Sequence, residues 1–173
     1  MHIVYRDLFK KEVNGSAGAK QYGNQQALLV SQQIALKGVD AINESGFAQE
    51  LKHQATILWK EMYDRLISGE RKDIKFGALG DVSKLTEDDW YRLVSEKTGP
   101  LFSGAIKLGL MFSRADEKVE LVTNLERFVE KYRVVLQGRD DWLGIYGDTA
   151  KTGKPNTDDI VFGAPNLYVI SAF

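Results

Sequence analysis

Apolar residues at three- and four-residue spacing run through most of this chain, and no stretch of comparable length alternates apolar with polar. A half-buried strand needs a period of two and an amphipathic helix a period near 3.6, so this pattern restricts the chain to helices. The longest such stretch runs from Ala115 to about Tyr146. Val119, Val122, Leu125, Phe128, Val129, Tyr132, Val135 and Leu136 form its apolar stripe, while Glu117, Lys118, Glu126, Arg127, Glu130 and Lys131 occupy much of the opposite surface.

The preceding segments obey the same rule. His2 to Lys20 reads as a short helix or extended piece that ends in the loop-like run NGSAGAK. From Tyr22 to Ile42, Ala27, Leu28, Val30, Ile34, Ala35, Leu36 and Ile42 give a broad buried face, with Gln25, Gln26, Gln32 and Gln33 as an ordinary polar face. A second helix is expected from Phe47 to about Ser68, punctuated by Gly46 and Gly69, and then a flexible connection from Gly69 to Lys84. Thr86, with Asp89 three residues on, forms a near capping box for a third helical region from Glu87 to about Ser113. Gly99-Pro100 interrupts that region, and a kink is expected near Lys97-Thr98 because an interior proline removes a donor and crowds the preceding turn. A loop from Gly147 to Pro165 precedes the apolar run NLYVISAF, which has no evident cap. The expected fold is all-α: one helical domain over residues 1–173, a bundle of about five helices packed side by side.

Composition limits the function. A formal net charge of −1 argues against a nucleic-acid protein held by general electrostatics, so any phosphate binding must be local. No apolar run is long enough to span a bilayer and nothing at the N-terminus resembles a signal peptide, which makes the cytoplasm the default location. Without cysteine there is neither a disulfide nor a thiolate metal site. The two histidines, His2 and His53, are far apart and lack partners at metal-ligand spacing.

Chemistry concentrates between Gln137 and Asp159, in QGRDDWLGIYGDTAKTGKPNTDD. On a helix, Gln137, Asp140, Asp141 and position 144 lie within reach of one another. Adjacent carboxylates repel unless a cation or proton intervenes, and hard oxygen ligands suit magnesium, which takes one or two carboxylates together with waters and phosphate oxygens. Lys151 and Lys154 come next in a glycine-bearing loop, and lysines supply point charges for phosphate.

This stretch resembles the second aspartate-rich region of the isoprenyl diphosphate synthases, or polyprenyl synthetases. The family pattern, a phenylalanine-glutamine pair, DDxxD, glycine-aspartate and GKPxGxD, is matched by Leu136-Gln137, Asp140 and Asp141 with Gly144, Gly147-Asp148, and Gly153-Lys154-Pro155 with Asp159. Upstream, EKTGPLFSGAIKLG resembles the KTAxLF segment through Lys97 and Thr98, and GERKDI at Gly69 to Ile74 resembles the GQxxD turn. The start of the chain, MHIVYRD, is similar to the family segment directly after the first aspartate-rich motif.

The resemblance implies an isoprenoid-synthase-type helical bundle, incomplete at both ends and usually dimeric. It implies a prenyltransferase of isoprenoid biosynthesis that condenses an allylic diphosphate with isopentenyl diphosphate. Carried over residue by residue, Lys97, Thr98 and Gln137 would line the reacting centre, Lys97 and Lys154 would contact the leaving diphosphate, and Asp140 and Asp141 would hold magnesium. The chain departs from the pattern in lacking the first motif, in Gly144 where the third aspartate would stand, in Thr157 for a glycine, in Ala164 for a lysine, and in Ser31-Gln32 for a glycine-aspartate. The departures imply a chain incomplete or inactive alone; the alternative is a non-catalytic subunit that pairs with a complete synthase and modulates it.

Overall fold

The computed structural model describes residues 16–79, 81–113, 118–153 and 156–173. Those residues are helical with short connections, and among them there is no strand. The chain divides into two compact units, Met1–Gly46 and Phe47–Phe173.

The first unit contains α1, Ser16–Asn43, longer at its start than the apolar pattern predicts. Leu28, Leu29, Ile34 and Leu36 are exposed along it, whereas Ile42 near its end is buried. The Ser45 hydroxyl donates to the Ile42 carbonyl at 2.6 Å, satisfying an acceptor that the end of the helix leaves open.

The second unit begins with α2, Gln49–Leu79. This helix continues through the segment expected to be a flexible connection, so GERKDI lies inside a helix and not in a turn. The reason is packing. A β-carbon at position 69 would run into the backbone carbonyl of Glu96, so Gly69 is the point where α2 touches the next long helix. Close approach of two backbones outweighs the roughly 1 kcal/mol that glycine costs inside a helix.

After a 3-10 turn at Val82–Lys84 comes α3, Glu87–Lys97. Its capping box is present as the sequence predicts: Asp89 N–H donates to Thr86 Oγ1 at 3.2 Å and Thr86 N–H to Asp89 Oδ2 at 3.0 Å. The third helical region breaks at Thr98, and α4, Gly99–Ser113, starts directly after it. Pro100 falls in the first turn of α4, where its missing N–H has no helical partner to lose. Arg133 packs on Gly99 and donates to Ser95 Oγ at 2.6 Å, bracing the break from the facing helix.

That facing helix is α5, Val119–Tyr146. Short helices α6 (Thr149–Thr152), α7 (Asp158–Val161) and α8 (Leu167–Ile170) complete the unit. The last is N-capped by Asn166, whose Oδ1 accepts from Tyr168 N–H at 3.0 Å, so the terminal apolar run does have a cap.

Helix α2 lies along α3 and α4, α4 along α5, and α7 and α8 rest on α5. The core between α3, α5 and α8 is built on Trp90, Val94 and Ile170, with Val82, Leu85, Val134 and Leu167 against it. Met62 of α2 fills the space over Gly104 of α4. No helix among the described residues is long and apolar enough to cross a membrane.

Candidate functional site

The end of α3 and the last third of α5 meet above the Trp90 core. Because the α3–α4 break comes at Thr98, Lys97 and Thr98 sit at a helix end and not along a continuous helix, the Thr98 side chain reaching Gln137 of α5 and the Lys97 side chain reaching Asp73 of α2. On α5, Gln137 and Asp141 are four residues apart and share a face.

Thr98, Gln137 and Asp141 form one hydrogen-bonded array, with the charge of Lys97 beside it. Thr98 Oγ1 donates to Gln137 Oε1 at 3.2 Å, and Gln137 Nε2 donates to Asp141 Oδ1 at 2.9 Å. The other Asp141 oxygen, Oδ2, accepts from Trp90 Nε1 at 2.7 Å and from Leu167 N–H at 2.8 Å. Only 4% of Asp141 is exposed. Burial pushes its carboxyl above the ordinary aspartate range, opposed by the hydrogen bonds from Gln137, Leu167 N–H and Trp90 and by the positive charge of Lys97.

Lys97 is itself largely buried and pairs with Asp73 of α2, Nζ to Oδ1 at 3.1 Å. Gly69, by letting α2 approach the end of α3, is what brings Asp73 to Lys97. The GERKDI and EKTG segments are therefore two sides of one contact.

A second branch runs through Asn166, which is 1% exposed. Its Nδ2 donates to the Asp141 carbonyl at 2.8 Å and to Asp159 Oδ2 at 2.9 Å. In the loop before α7, Asp148 caps α6 through Ala150 N–H at 3.0 Å, and Gly153 closes it at φ 71°, a left-handed conformation suited to glycine.

The structure thus brings together Lys97, Thr98, Gln137 and Asp141. It separates the two members of the aspartate pair: Asp141 points inward to its donors, while Asp140 is exposed and, among the described residues, takes no hydrogen bond. Adjacent helical residues are about 100° apart, so a DD pair cannot present both carboxylates in the same direction. Lys154 lies outside the described residues.

Four further members were not assigned roles from sequence: Trp90, Asp73, Asp159 and Asn166. Asn166 had a readable signal, an asparagine immediately before an apolar run. The pairings of Trp90 with Asp141 and of Asp73 with Lys97 span 51 and 24 residues and leave no local pattern.

Magnesium fits this donor set in one way only. Among the described residues no three acidic or histidine side chains converge as a metal cage. Asp140 is open and suits a cation that takes one or two carboxylates and completes its octahedron with water and phosphate. Asp141 is engaged by protein donors and suits a supporting role.

Comparison with known proteins bears on what this array belongs to. The family model for polyprenyl synthetase matches residues 15–173. The chain belongs to the polyprenyl synthetase family. Its similar relatives include the geranylgeranyl diphosphate synthase of Saccharolobus solfataricus, 28% identical over 87% of this chain and 44% of that protein. The geranylfarnesyl diphosphate synthase of Aeropyrum pernix is 29% identical over 87% of this chain and 47% of its own length. The nonaprenyl diphosphate synthase of Mycobacterium tuberculosis is 28% identical over 96% of this chain and 49% of its own. This polyprenyl synthetase chain therefore spans less than half the length of these relatives.

Proposed function

We propose that this chain handles the diphosphate group in a magnesium-dependent prenyl transfer, the condensation of an allylic diphosphate with isopentenyl diphosphate. The observation that supports the reading is the Thr98, Gln137, Asp141 array at the α3–α5 contact with the positive charge of Lys97, held by Asp73 of α2, acting on it.

In such a transfer the allylic carbon–oxygen bond breaks and diphosphate leaves with the electron pair. The allylic carbon then bonds to the terminal methylene of isopentenyl diphosphate, and a proton is lost. The demand on the protein is to stabilise a departing polyanion beside a carbocation, which needs fixed charges and dipoles more than a nucleophile. Lys97 supplies a cation at a helix end, held by Asp73. Gln137 and Thr98 hold each other in place, and Asp141, tied down by Trp90 and Leu167, fixes the amide of Gln137. Asp140 is the open carboxylate for magnesium, with Lys154 a further diphosphate contact. Magnesium, when bound, would neutralise charge on the departing diphosphate.

A single open carboxylate is little to hold a magnesium-bridged polyanion, so the chain is inactive or weak alone and works beside another that adds carboxylates. A second reading, a subunit that pairs with and modulates a complete synthase, is favoured by the outer face of α5. Leu121, Phe128, Val135, Trp142 and Tyr146 are all exposed along it, an apolar stripe of the kind that marks an interaction surface. We place this activity in the cytoplasm and in an oligomer.

The test is to incubate the chain with magnesium, isopentenyl diphosphate and geranyl diphosphate, alone and with a complete synthase from the same source, and to measure longer diphosphates. Product from the mixture that differs in amount or length from that of the synthase alone supports the reading. A mixture that behaves as the synthase alone, with the two chains unassociated by native mass spectrometry, contradicts both versions.

A further inference from the structure

Helices α4 and α5 run antiparallel, with Gly99 against Arg133 and, farther from the Thr98–Gln137 pair, Lys107 against Glu126. Between them lies a cavity of about 340 Å³, its apolar lining supplied by Ile106 and Leu110 of α4 and by Val122 and Val129 of α5. Lys107 and Glu126, 3.9 Å apart and each about half-exposed, pair at its solvent edge. On α4 the cavity begins at Ser103, one turn beyond Gly99, and on α5 it begins at Arg133, one turn before Gln137 on the same face. A partly apolar cavity of this size can take a small ligand, and this one continues the seam that carries the array.

Arg133 stands between the two. Its guanidinium rests on Gly99, where an added β-carbon would be 3.0 Å from Nη1. Nη1 donates to Ser95 Oγ at 2.6 Å, and Nη2 lies 3.5 Å from Glu130 Oε1. Nε is buried and, among the described residues, has no acceptor. The side chain as a whole is 18% exposed.

We propose that Arg133 is a specificity-determining residue that closes the α4–α5 seam to the hydrocarbon of an allylic diphosphate. This role rests on the diphosphate-handling reading above. Two effects act together. The guanidinium fills the seam at Gly99, and its bond to Ser95 keeps it from swinging aside. A hydrocarbon pressed past it would also strip the remaining water from a cation whose Nε already lacks an acceptor, and removing water from a charge without supplying a partner is costly. While Arg133 is in place the cavity therefore contributes nothing to holding a longer tail. A small neutral side chain at position 133 would join cavity and array into one pocket.

The test compares the shorter dimethylallyl diphosphate with the longer geranyl diphosphate, each with magnesium, by titration calorimetry. Folding is followed by thermal melting. The wild type is expected to bind the two within about threefold of each other, and Arg133→Ala to favour the longer one by at least about tenfold, because several methylenes become buried. Arg133→Met keeps a long stem against Gly99 without the charge; it is expected to raise the preference by a smaller factor, and it decides the matter should Arg133→Ala not fold. Adding Ser103→Phe to Arg133→Ala refills the head of the cavity and is expected to return the preference to that of the wild type. A wild type that binds neither compound contradicts the functional reading itself. A wild type that binds both, with the preference unchanged in every folded Arg133 variant or with the gain surviving Ser103→Phe, overturns the role of Arg133 alone.

Discussion

The indole Nε1 of Trp90 donates a 2.7 Å hydrogen bond to the buried carboxylate of Asp141, joining the core of α3 to the turn of α5 that carries the aspartate pair. This contact makes the site an extension of the hydrophobic core. Trp90 is 1% exposed and packs with Val94 and Ile170, so its position is set by packing and Asp141 inherits that precision. A site built on core side chains can hold its groups more firmly than one built on loops.

Replacing Trp90 with Phe keeps an aromatic ring in the core and removes the donor. The expected loss is about 1.5–3 kcal/mol, the range for a hydrogen bond to a charged group, plus a smaller contribution from the missing ring. Urea unfolding measures it. A loss under about 0.5 kcal/mol would show that Leu167 N–H and Gln137 suffice for Asp141.

Asp141 also gives a pH dependence with a definite sign. Its folded carboxyl is raised above the unfolded value, mainly by burial. Between the two values the folded state holds more protons than the unfolded state, so this group's contribution favours folding at low pH and is lost as pH rises through the folded value. Asp89 acts in the opposite sense: its bonds from Thr86 lower its carboxyl, so its contribution is present above the unfolded value and lost as pH falls through the folded one. Comparing the wild type with Asp141→Asn by denaturant unfolding across acid pH isolates the first effect. The difference in stability between them is expected to move in the variant's favour as pH rises; a constant difference would mean that Asp141 has an ordinary carboxyl.

The glycines of the long helices separate two kinds of position. At Gly69 a β-carbon would meet the Glu96 backbone, so Gly69→Ala should force α2 from α3 and cost about 1–3 kcal/mol despite the better helix propensity of alanine. At Gly138 nothing lies within 4 Å of the same atom, so Gly138→Ala should stabilise by up to about 1 kcal/mol. Thermal melts of the two variants should therefore shift in opposite directions.

Helical class, the capping box at Thr86 and Asp89, and the break after Thr98 were legible because each rests on residues within a few positions of one another. The continuation of α2 to Leu79 was not, because the reason for Gly69 lies in a distant stretch of backbone, at Glu96. The site divides in the same way. Motif resemblance singles out Lys97, Thr98 and Gln137, of which Thr98 and Gln137 are hydrogen-bonded to each other while Lys97 pairs with Asp73. That Asp141 turns inward and Asp140 outward can be derived from helical geometry only once the packing of α3 and α8 on α5 is known. Asp159 could not be placed on α5 from sequence, because only the fold shows that Gly144 leaves room for it.

The most direct measurement is titration of the chain with inorganic pyrophosphate, with and without magnesium, for the wild type and for Lys97→Met. Binding that requires magnesium and falls at least about tenfold in a folded Lys97→Met protein is the expected result, since a charge-assisted contact to phosphate is lost. Binding that is indifferent to both magnesium and Lys97, or no binding at all, would contradict the assignment of diphosphate handling to the α3–α5 array.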